Sequence, residues 1–67
     1  MDAQILAEAL RDATALEERA RAHWKAHADD VPERDGALVV VRHTTALRRA
    51  LEQWIAARSM RAELRSR

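Results

Sequence analysis

The chain has 67 residues, no cysteine, two tryptophans as its only aromatics and 15 alanines. That composition excludes disulfides and thiolate metal sites, and it leaves a marginal core, because a domain of this size buries only about 60% of its unfolded surface. Net charge is +1, yet residues 1–35 carry nine acids against five bases and residues 36–67 carry seven arginines against Glu52 and Glu63.

Alanine favours the helix but buries little apolar area, which contributes roughly 25 cal/mol per Å². Small domains of this kind add a staple or a partner. With no cysteine, oligomerisation or docking is the expected remedy. Halves of opposite charge suit folding onto each other or pairing head to tail with a second copy, and a basic tail that binds nucleic acid is the competing reading.

The N-terminus has Asp2 where a secretory signal would carry bases, and the longest apolar run, residues 37–41, is far short of the ~20 residues of a membrane span. A soluble, cytoplasmic protein is the expectation. Leu6, Leu10, Ala13, Leu16, Ala20, Trp24 and Ala28 then recur at three- and four-residue spacing, which predicts an amphipathic helix over about 3–29 with Asp2 as N-cap.

Asp29-Asp30-Val31-Pro32 breaks this pattern, and Asp35-Gly36 supplies a turn signal, so a Pro/Gly turn is expected here. The next segment, Leu38-Val39-Val40-Val41, is apolar and mostly β-branched. Such residues are stiff at χ1 and suit a pleated strand, which predicts a short extended or β segment at about 38–43. It would either plug the end of a helical hairpin as a crossover or, as a strand, pair with its own copy or another protein's sheet edge. An early helix start near Ala37 is disfavoured by three valines, two threonines and the lack of a good cap nearby.

A second helix is expected over about 45–65, capped by Thr44 or Thr45, with Leu47, Ala50, Leu51, Trp54 and Ala57 on its apolar face. A hairpin closing around residues 36–39 would set Trp24 near Leu51 and Trp54 near Arg21.

Chemistry-bearing motifs are sparse. His23 and His27 sit four apart on one helix face with Asp30 beyond and His43 elsewhere, an acceptable but weak zinc geometry. Solvated histidines near a helix C-terminus are the simpler reading, and no metal or other cofactor is expected. Ser occurs only at 59 and 66, and a single Gly permits no phosphate loop, so enzyme activity is not expected.

These observations predict a mainly α single domain over residues 1–67. Its expected function is a non-catalytic structural, assembly or adaptor subunit that self-associates or docks on a larger protein. The interface residues are Leu10, Leu16, Trp24, Val39, Val41, Leu47, Leu51 and Trp54. Chains this short abound in compact genomes such as those of phages, so a small virion or accessory protein is one setting. The alternative is a small regulatory nucleic-acid binder contacting phosphates through Arg48, Arg49, Arg58, Arg61 and Arg65. Membrane binding is not expected, because Arg61 and Arg65 interrupt the apolar stripe.

Overall fold

A computed structural model describes residues 2–66. They form two antiparallel α-helices, α1 (Ala3–Ala26) and α2 (Val31–Arg65), joined by residues 27–30. The hairpin is a rod of 56 × 15 × 15 Å. Its length is that of α2, whose 35 residues span about 52 Å at 1.5 Å each.

Local chemistry sets each helix end. Asp2 caps α1, its Oδ1 accepting from the Gln4 N–H at 3.1 Å. α1 closes on the His27 N–H, which donates to the His23 carbonyl, and Asp30 N then donates to the His27 carbonyl. The Asp30 carboxylate caps α2 by accepting from the Glu33 N–H. Pro32 lies in the first turn of α2, where its missing N–H costs no helical hydrogen bond. The residue that ends the first periodic pattern therefore starts the second helix.

This overturns the expected Pro/Gly turn and the extended segment at 38–43. α2 runs without a break through Gly36, the valine run and both threonines, and there is no strand among the described residues. Thr44 and Thr45 are not caps, and Gly36 has no positive φ. Backbone pairing explains the outcome. A solitary strand leaves a row of N–H and C=O groups unmade, whereas a helix pairs them internally. Against that, the valines and threonines cost at most about 0.7 kcal/mol each and glycine about 1 kcal/mol. Each unpaired buried group costs about 1–3 kcal/mol. The buried Thr44 hydroxyl is also satisfied within the helix, donating to the Val40 and Val41 carbonyls at 2.8 and 3.1 Å.

The helices meet along a seam that alternates steps of three and four residues. In α1 it comprises Leu6, Leu10, Ala13, Glu17, Ala20 and Trp24; in α2, Arg34, Ala37, Val41, Thr44, Arg48, Leu51 and Ile55. Every buried residue among those described lies on this seam. Leu6, Ala13 and Leu51 form its apolar centre, with Ala9, Leu10 and Ile55 packed against them. Because the chain reverses at 27–30, the register differs from a closure at 36–39. Leu51 packs with Leu6 rather than Trp24, and Trp54 lines a hollow at the open end with Ala3, away from Arg21.

Candidate functional site

One flank of the hairpin stays apolar. Leu16, Val40, Leu47 and Trp54 each immediately precede a seam residue, so all four project to the same side. They remain 47%, 39%, 52% and 42% exposed respectively. Leu16 and Val40 meet across an open groove of about 430 Å³, shared with Ala20, His23, Glu33 and Gly36. Along α2 the row repeats every seven residues, Glu33, Val40, Leu47, Trp54 and Arg61, a spacing that drifts by only about 20° per repeat on a straight helix and follows the seam where the pair supercoils. The opposite flank, made of residues that follow the seam, is mostly polar, with Thr14, Arg21, Thr45 and Glu52.

At mid-seam the packing is ionic. Arg48 Nε donates to Glu17 Oε2 at 2.9 Å and its Nη1 to Glu52 Oε1 at 2.8 Å, while Arg21 Nε reaches Glu17 Oε1 at 3.4 Å. The Arg48 hydrogen bond holds the Glu17 carboxyl below its ordinary pKa, against a smaller upward push from desolvation. The Arg48 guanidinium is raised in turn, first by Glu17 and then by Glu52. Thr45 Oγ1 is a neighbour of this carboxylate that also lowers its pKa. It sits outside hydrogen-bond geometry and is the one buried side-chain oxygen without a partner among the described residues.

The eight expected interface residues divide into three groups. Leu10, Trp24, Val41 and Leu51 lie on the seam and hold the hairpin together. Leu16, Leu47 and Trp54 share the flank, where Val40 joins them. Val39 is 52% exposed and, as the neighbour of Val40 away from the seam, points to the back of α2. Sequence reasoning missed Val40 because a strand reading alternates Val39 and Val41 against Val40. The seven-residue row emerges only when 31–65 is one helix. Leu16 is also displaced from the first helix's core stripe, where Glu17 takes the buried place.

Among the arginines, Arg48 is consumed by Glu17 and Glu52. Arg58, Arg61 and Arg65 lie with Trp54, Ala62 and Ala3 around an open hollow of about 560 Å³, where α2 runs past the start of α1. Neither these three nor Arg49 forms an ion pair among the described residues. Of these five arginines, Arg48 is the one that pairs with an acid of α1 among the described residues.

His23 and His27 stack with ring centroids 4.0 Å apart. His23 Nε2 donates to Glu33 Oε2 at 2.8 Å, bridging the helices at the closed end. Asp30, the suggested third ligand, is engaged as the α2 cap. Among the described residues no group of three or more His, Cys, Asp or Glu side chains gathers as a metal site. No described helix is long and apolar enough to cross a membrane.

The fold and flank together define a class, an antiparallel two-helix hairpin with one apolar side. Comparison of the chain with protein-family models, curated proteins and solved structures gives no match in any of the three.

Proposed function

We propose that this chain is a non-catalytic structural or assembly subunit, in the cytoplasm or as a virion component, that self-associates or docks on a larger protein through its apolar flank. The observation that carries the reading is the row of half-exposed Leu16, Val40, Leu47 and Trp54 beside a seam that, among the described residues, buries only six apolar side chains, three of them alanine. Scattered surface leucines need no explanation, but a contiguous apolar strip bordered by charge marks an interaction surface. Tryptophan in such a strip buries a large area and is enriched among interface anchors.

The test is light-scattering mass over a hundredfold concentration range for the wild type and Leu47→Glu. A wild-type mass above the 7.6 kDa of one chain that collapses to one chain in the variant supports the reading. A cooperatively folded wild-type monomer at every concentration, as soluble as the variant, counts against it.

The second reading, a small nucleic-acid binder, draws on the grouping of Arg58, Arg61 and Arg65 beside Trp54. Phosphate contacts release counterions, so such binding weakens steeply with salt, whereas apolar association does not. Titration of a duplex at about 50 and 200 mM salt separates the two: near-constant or absent binding sinks the nucleic-acid reading.

A further inference from the structure

We infer that the flank is covered by a second copy of the chain, laid antiparallel on the first with the two-fold axis beside Leu47. This rests on the self-association reading and fixes its partner and register.

The row on α2 is symmetric in polarity and antisymmetric in charge about its centre. Outward from Leu47 come Val40 and Trp54, then Glu33 and Arg61. Turned end for end on itself, the row sets Leu47 against the partner's Leu47 and Val40 against the partner's Trp54. Glu33 then meets the partner's Arg61 at both ends. A parallel pairing would stack Glu33 on Glu33 and Arg61 on Arg61, and opposed like charges select against a partner orientation.

The wider charge distribution favours the same choice. The closed end carries Asp29, Asp30, Glu33 and Asp35 against Lys25 and Arg34, and the open end carries Arg58, Arg61 and Arg65 against Asp2 and Glu63. Antiparallel stacking lays each acidic end on the other copy's basic end, and brings Arg65 level with the partner's Asp29. Glu33 already accepts from His23, yet its side chain is 56% exposed and keeps room for a second donor.

The area is adequate. Residues 33–61 of a helix span about 42 Å at 1.5 Å per residue, and the rod is 15 Å wide. Two such faces together bury roughly 1,200 Å², at the lower bound for stable specific interfaces. Leu16, beside Val40, is covered by the same contact.

Cysteine cross-linking and a charge-reversal cycle test the arrangement, with helix content checked by circular dichroism in every variant. The chain has no native cysteine, so Leu47→Cys places one thiol at the axis and Glu18→Cys places one on a face away from it. The wild type should sediment at twice 7.6 kDa, and on mild oxidation Leu47→Cys should give a covalent dimer about tenfold faster than Glu18→Cys. Glu33→Arg and Arg61→Glu should each weaken the dimer several-fold, and the double variant should recover most of that loss. A dimer in which Leu47→Cys links no faster than the control, or the double reversal restores nothing, overturns the antiparallel register and leaves self-association standing. A wild-type monomer overturns both.

Discussion

Arg48 and Glu17, 31 residues apart in sequence, are joined across the seam by a 2.9 Å hydrogen bond from Nε to Oε2. They are the ionic layer in the middle of a seam that is otherwise mostly apolar. The pair gives the protein a pH dependence whose sign is determined. Glu17 has its pKa lowered from the ordinary 4.5, chiefly by the Arg48 hydrogen bond. Its contribution to stability is present above that ordinary value and is lost as pH falls through the depressed one. Urea unfolding between about pH 3 and 7 should show stability falling below about pH 4.5. Glu17→Gln should be less stable than the wild type at neutral pH and converge on it in acid. Parallel profiles for the two proteins would show that the pair contributes nothing to folding.

Leu6 is 1% exposed at the centre of the apolar seam. Leu6→Ala should cost about 2–5 kcal/mol in chemical denaturation, the range for truncating a buried leucine. Trp54 looks like a comparable anchor in the sequence, but its 42% exposure places it on the flank. Trp54→Ala should cost less than the roughly 3–5 kcal/mol of a fully buried tryptophan when folding is measured on dilute monomer. Its larger effect should appear as a lowered mass at high concentration.

Gly36 lies inside α2 with helical backbone, and a Cβ built there would meet nothing within 4 Å. Alanine should therefore be gained without strain. Gly36→Ala is expected to raise stability by about 0.5–1 kcal/mol, through helix propensity and a less flexible unfolded chain. Thermal unfolding at low protein concentration is the appropriate measurement, and an unchanged or lowered midpoint would contradict a continuous α2 at this position.

Asp30 supports the start of α2 through its side-chain acceptor for the Glu33 N–H. Asp30→Ala should lower stability by about 1 kcal/mol, the usual loss for an N-cap carboxylate. Thr44→Ala separates this cap from the one expected further along. Were a helix to start at 45, losing Thr44 would fray its first turn, whereas in α2 amide exchange at residues 46–48 should stay as slow as in the helix interior.

The legible parts of the fold were those carried by short-range pattern. The stripe of Leu6, Leu10, Ala13 and Ala20, the Asp2 cap, and the apolar positions Leu47, Leu51 and Trp54 all follow from spacing and local hydrogen-bonding chemistry. The valine run misled because β-branched preference is a small term, and here the demand for backbone pairing outweighs it. Pro32 was ambiguous for a similar reason: the same residue ends one helix and opens another, and only the position of the cap, Asp30, distinguishes the roles.

The sequence alone thus determined that the chain is helical and amphipathic, poor in core, without disulfides and opposed in charge between its halves. Those properties are set residue by residue. Tertiary structure decided the register, and with it which apolar residues hold the hairpin and which are left outside. Moving the reversal from 36–39 to 27–30 pairs Leu6 with Leu51, buries Glu17 beside Arg48 and turns Leu16, Val40, Leu47 and Trp54 onto one flank. No local preference encodes that choice, because a seam is a property of two helices packed together, and its register depends on where the chain turns.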